Sequence, residues 1–117
     1  MSEEPSGGLV TDWMNLPDAG EALGIDITRV RQAVRDRHLL AFRIDGVLYV
    51  PAAFIQDGKV LKGLPGLITV LDDSGYSDEN ALRWMFTPDD SLPGTPVEAL
   101  RANRGKEVRR RAQTLAW

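Results

Sequence analysis

Apolar positions follow two periods along this chain, and where the period changes marks out the elements. Leu16-Pro17-Asp18-Ala19-Gly20-Glu21-Ala22-Leu23-Gly24 places a proline near its start, acids in its first turns and a glycine at its end, which predicts a short helix. Asp26 is then a natural N-cap for a second helix over 27–37. In that helix Ile27, Val30 and Val34 fall at i, i+3 and i+7 and form a buried stripe, which Ala33 widens. The period next drops to two. Residues 39–44 and 47–50 are β-prone runs on either side of Asp45-Gly46, a strong two-residue hairpin signal. Residues 51–55 suit a tight turn or the first turn of a helix, and residues 56–59 read as a loop.

Beyond residue 60 the pattern is helical again. Leu64, Leu67, Ile68 and Leu71 share one face, and Gly75 ends that element. Ser77 with Asp78 and Glu79 opens the next, in which Leu82, Met85 and Phe86 share a face before Pro88 stops it. Thr95-Pro96 is an N-cap and first-turn pair for a short helix bearing Val97 and Leu100. A last helix over 105–116 buries Val108, Ala112 and Leu115. None of these helices can bury its stripe alone, so they pack on one another or on the N-terminal half.

Charge changes the picture. The net value of -3 over 117 residues looks wrong for a polyanion binder, but the charges are sorted. Residues 1–26 carry six acids and no lysine or arginine, whereas residues 27–44 carry Arg29, Arg31, Arg35, Arg37 and Arg43 against Asp36 alone. Six acids then crowd residues 72–90, and residues 101–117 carry five arginines and Lys106 against Glu107. Attraction to phosphate follows the local field, so the two basic blocks are where a polyanion could sit.

The order helix, short glycine turn, helix, β-ribbon is what a winged helix-turn-helix needs: the first helix braces the second, the second enters the major groove, and the ribbon reaches nearby backbone. The expected fold is therefore mainly α, a winged helix-turn-helix with a two-stranded β wing followed by a C-terminal helical bundle. Its expected divisions are a flexible acidic tail over 1–14, the DNA-binding module over 15–60 and a helical region over 61–117 packed on it. With the apolar stripe inward, Thr28, Arg31, Gln32 and Arg35 line the opposite face. Arginine can pair bidentately with guanine and glutamine with adenine, while threonine suits a phosphate or a thymine methyl. Arg29 and Arg37 on the flanks, and Arg43 on the ribbon, are placed for phosphates. The competing reading is a solvated arginine face; agreement among turn, cap, stripe and hairpin favours the DNA reading.

These same residues carry a resemblance. Residues 16–25, Val30-Arg31-Gln32-Ala33-Val34, Leu39-Leu40-Ala41-Phe42-Arg43 and Tyr49-Val50-Pro51 resemble the excisionase and MerR-type winged helix-turn-helix. Residues 16–117, through Lys62-Gly63-Leu64-Pro65-Gly66-Leu67 and Arg83-Trp84-Met85-Phe86-Thr87-Pro88-Asp89, more closely resemble an actinobacterial, mycobacterial-type family of small DNA-binding proteins. That resemblance implies a winged helix fused to C-terminal helices and sequence-tolerant binding of duplex DNA. Relatives in the family have longer tails and a longer insert near residues 90–95. The C-terminal half is also similar in shape to the toxin-binding region of Xre/ParS-type antitoxins, which implies a second reading: an adaptor whose C-terminal helices bind a partner protein. Against it, Trp84, Met85 and Phe86 read more simply as core.

The remaining candidates count for little. Arg109-Arg110-Arg111 reads equally as a DNA-backbone contact or a solvated helix face. His38 is the sole histidine, no serine has triad partners, and Asp72-Asp73 and Asp89-Asp90 read as solvated caps without the spacing of a calcium loop. No enzyme, metal or cofactor is expected. Trp13 and Trp117 read as covers for core edges. Ser2, Ser6 and Thr11 lie in the acidic tail, and Thr11 is the candidate site for a Ser/Thr protein kinase, whose phosphate would oppose DNA. With no cysteine, no secretory signal and no apolar run near the ~20 residues of a membrane span, the expected location is the cytoplasm, at the nucleoid, away from membranes.

Overall fold

The computed structural model describes residues 4–116. Strand β1 (Trp13–Asn15) leads into α1 (Leu16–Leu23) and α2 (Ile27–Arg35), followed by β2 (Phe42–Ile44) and β3 (Val47–Pro51). A 3-10 turn (Ala52–Phe54) precedes a second hairpin, β4 (Ile55–Gln56) and β5 (Lys59–Val60). Four helices complete the chain: α3 (Leu64–Asp73), α4 (Asp78–Met85), α5 (Pro96–Arg101) and α6 (Gly105–Gln113), with a closing 3-10 turn at Thr114–Ala116.

The expected punctuation operates as the chemistry requires. Asn15 Oδ1 accepts from the Asp18 N–H to start α1, and Gly24, at φ +69°, ends it. Asp26 Oδ1 accepts from Arg29 N–H at the start of α2, Ser77 caps α4, and Thr95 with Glu98 forms a reciprocal capping box on α5. Asp45 and Gly46 take φ +52° and +82°, the left-handed pair that a two-residue hairpin demands.

Three expectations are corrected. The sheet of the winged module has three antiparallel strands, ordered β1-β3-β2, because Trp13, Met14 and Asn15 pair with Pro51, Val50 and Tyr49. The tail over 1–14 is accordingly shorter than expected. Val10 is buried, the Asp12 carbonyl accepts from Ala52 N–H, and Arg83 Nε donates to the Pro5 carbonyl, so the segment lies on the fold. Met1, Ser2, Glu3 and Trp117 lie outside the described residues. Finally, residues 56–59 are not a plain loop. Asp57 and Gly58, at φ +55° and +76°, close the β4-β5 hairpin.

The apolar side chains form two clusters. A small one ties Leu16 and Ala19 of α1 to Val30 of α2 and Val50 of β3. A larger one runs from Leu39, Leu40 and Phe42 beneath the wing, through Phe54 and Leu61, to the inward faces of α3, α4, α5 and α6. The two halves therefore share one interior. Arg101 of α5 reinforces the join, donating to the carbonyls of Ala53 and Ile55 at 2.9 and 3.1 Å, and Gln56 Nε2 returns a bond to the Arg101 carbonyl.

Candidate nucleic-acid interface

Helix α2 is seated by a single fully buried side chain, Val30; Ala33 and Val34 are only half-buried, and Ile27 is 37% exposed. The stripe expected to begin at Ile27 thus begins at Val30, and the first turn of α2 stands clear of the core. What holds so slight a helix is its close crossing with α1. A Cβ at Gly20 would lie 2.8 Å from the Ile25 carbonyl oxygen and 3.4 Å from Val30 Cγ2. Only glycine lets α1 approach the turn this closely, and the approach makes α1 a brace for α2.

The outward face carries the predicted side chains. Thr28, Arg29, Arg31, Gln32 and Arg35 are all exposed. Gln32 is held by its helix neighbours, its Nε2 donating to Asp36 at 2.8 Å and its Oε1 accepting from Arg35 at 2.9 Å. These are solvent-facing bonds that a base edge could replace at little cost. Among the described residues Arg29 and Arg31 make no ion pair.

The wing stands beside this helix. Arg31 from α2 and Arg43 from β2 line one shallow cleft with Ile27 and Val47. Arg43 Nη1 donates to the Gly46 carbonyl at 3.1 Å, which draws its guanidinium over the hairpin. Val47, 48% exposed, and Ile27 put two uncovered apolar side chains in the same cleft as the two arginines. Sequence pattern missed this pair: Ile27 read as the first residue of the buried stripe, and Val47 only as part of a β-prone run.

Arg37 is not free for phosphate. It leaves α2 in the left-handed conformation, φ +63°, and its fork clasps Asp78 at the start of α4 through bonds of 2.7 and 3.1 Å, with Asp72 at 3.6 Å. The hydrogen bonds to Asp78, and then the charge of both carboxylates, raise its pKa further. The acidic block over 72–90 is therefore not merely solvated: Asp72 and Asp78 anchor α2 to the C-terminal helices, and Asp89 accepts from Arg111 at 3.0 Å and from Ser91. Those contacts, Ser91 foremost, hold the Asp89 carboxyl at a pKa of about 2. His38 is exposed. Thr11 is exposed too, but Ser6 is buried, which removes it from the group of accessible hydroxyls. No cluster among the described residues could hold a metal ion, and none of their helices is long and apolar enough to cross a membrane.

Comparison with known proteins gives the same division. Residues 9–55 match the family model described as DNA-binding protein Rv2175c, wHTH domain, and residues 61–116 match the Rv2175c C-terminal domain of unknown function. The first match includes β1, as the sheet pairing requires. The DNA-binding protein Rv2175c of Mycobacterium tuberculosis (strain ATCC 25618 / H37Rv) is 42% identical over 130 residues, covering 97% of this chain and 89% of the relative. The NMR structure of Rv2175c superposes with a TM-score of 0.81 at 40% identity, over 91% of this chain and 82% of that one. The similarity to antitoxins is not favoured: the C-terminal half matches the second domain of this family, and Leu82, Met85, Val97, Leu100 and Val108 are enclosed in the chain's own interior. A winged helix-turn-helix braced on α3 to α6, with each half matched in turn by one of the two domain models, places this chain in the Rv2175c family.

Proposed function

We propose that this protein binds duplex DNA, with the exposed face of α2 in the major groove and the β2-β3 wing on adjacent backbone. The observation that carries this reading is the protrusion of α2. One buried side chain seats it, and Thr28, Arg31, Gln32 and Arg35 face outward beside an arginine-bearing wing. Arg31, Gln32 and Arg35 act as base readers, with Arg29 and Arg43 on phosphates. Ile27 and Val47 supply apolar contact to thymine methyls or sugars. Arg37 serves as a strut. The relative's printed description as a DNA-binding protein supports the same function. The proposed role is binding and not catalysis, at the nucleoid, as a regulator or an architectural factor.

A mobility-shift titration at two salt concentrations tests it. Arg31→Ala with Arg35→Ala should weaken binding by more than tenfold, since each lost bidentate base contact is worth about 1–3 kcal/mol. Unchanged binding would count decisively against α2. A phosphate at the exposed Thr11 would bring negative charge to the strand leading into α1 and weaken DNA binding; equal affinity of Thr11→Glu and the parent would refute that.

A further inference from the structure

A second basic surface lies where α3 and α6 begin. Helix α6 packs against α3, and the Arg109 guanidinium lies over Gly66, where a Cβ would sit 2.5 Å from Nη2. Gly63, at φ +88°, faces Leu100 and the α-carbon of Gly105. These glycines leave a cleft of about 820 Å³ lined by Lys62, Arg104, Lys106, Arg109 and Arg110, with Glu107 as its sole carboxylate. Glu107 lies 3.5 Å from Arg104. Among the described residues the other four cations make no ion pair, and all four are exposed.

Nothing in the folding of the chain requires this concentration of charge. Arg37, Arg101 and Arg111 each tie two elements together, whereas Lys106 and Arg110 touch no acid and repel one another across one helical turn. Such repulsion persists at a small cost to stability and is relieved only by an anion. The lining contains no aromatic side chain, so it offers no platform for stacked bases. Its chemistry is that of point charges and guanidinium forks, which suit phosphate oxygens and carry no sequence information. The starts of α3 and α6, neither capped by a side chain, add field of the same sign.

We infer that this cleft is a second phosphate-backbone site for duplex DNA, giving the C-terminal domain a role in affinity but not in sequence preference. The inference rests on the reading that α2 brings a duplex to the protein. The two sites are distinct. Arg37, at the end of α2, meets Asp72 in the last turn of α3, whereas the cleft opens at its first turn. Ten residues of helix separate them by about 15 Å.

The test compares the full chain, Lys106→Gln with Arg110→Gln, and Arg31→Ala with Arg35→Ala, by fluorescence anisotropy on a labelled duplex between about 50 and 200 mM salt. Thermal unfolding of each variant checks the fold. Removing two phosphate contacts at the cleft should flatten the plot of log affinity against log salt by about 1.8, and weaken binding equally on all sequences. Lys62→Gln, which lies outside α6, should flatten it by about 0.9. The α2 variant should instead alter the ranking of duplexes. If the cleft variants keep the parental affinity and slope while the α2 variant loses binding, the cleft is not a DNA site, an acidic protein becomes its better partner, and the α2 reading stands. If the parent chain binds no duplex at either salt concentration, both readings fall.

Discussion

Removal of the Arg37–Asp78 link separates the structural account from the one that sequence alone suggested. Both side chains are more than a third exposed, at 37% and 46%, so solvent screening holds the pair to the range of exposed ion pairs. Its planar, two-bond geometry puts it at the top of that range, and a double-mutant cycle of Arg37→Ala and Asp78→Ala should return a coupling of about 1 kcal/mol. Asp78→Ala alone should cost more than that coupling, because Asp78 also opens α4, where a carboxylate is favoured by about 0.3–1 kcal/mol. Arg37 carries a second signature. Its φ of +63° strains any side chain with a Cβ by about 1–2 kcal/mol, part of which glycine returns through its greater freedom when unfolded. Arg37→Gly should therefore be more stable than Arg37→Ala by up to about 1 kcal/mol, the reverse of the order inside a helix. Urea unfolding measures all of these, and for a chain of this size about 1 kcal/mol appears as roughly 4 °C in Tm. The coupling should shrink as salt rises. A coupling near zero at low salt would refute the strut. So would a DNA-binding salt slope flattened by about 0.9 in Arg37→Ala, which would return Arg37 to the phosphate contacts. An alanine variant more stable than the glycine variant would refute the left-handed exit from α2.

Other consequences follow from the same geometry. Gly20→Ala puts a methyl 2.8 Å from the Ile25 carbonyl; the forced shift should cost about 1–3 kcal/mol, outweighing the gain of about 1 kcal/mol in helix propensity, and should reduce DNA affinity by tilting α2. A more stable protein by urea unfolding would contradict that crossing. Asp89 is held with a depressed pKa, so its contribution is present above 3.8 and is lost as pH falls toward about 2. The stability difference between parent and Asp89→Asn should accordingly be flat at neutral pH and close in acid; a difference that widens in acid would reverse the sign. Asp26→Ala removes the cap of α2 and should cost about 1 kcal/mol in chemical unfolding, with no change refuting its capping role.

How much could be read in advance depended on whether a feature was local. Helix starts at Asp26, Ser77 and Thr95 and the Asp45-Gly46 turn were legible because each is decided by a side chain next to the backbone group it satisfies. The face of α2 was legible because helical spacing sets which residues share a side. Strand β1 was not, since three residues carry too little alternation to register and owe their conformation to β3. The β4-β5 hairpin carried an Asp-Gly signal of the same kind at Asp57-Gly58, but its strands of two residues gave no period to confirm it. The role of Arg37 was hidden because its partner lies 41 residues away in sequence. Ile27 was misjudged for a related reason. Spacing says which residues share a face, but how far along α2 the core extends is set by where α1 crosses it, and that crossing is at Gly20.

The most direct test is an NMR titration of the 15N-labelled chain with duplex DNA, following each backbone amide. The account predicts shifts in the amides of Thr28, Arg29, Arg31 and Gln32, and of Arg43 to Val47 in the wing, while the buried amides of α4 stay in place. If those of α2 and the wing stay fixed while a bound duplex perturbs other surfaces alone, α2 is not the recognition helix.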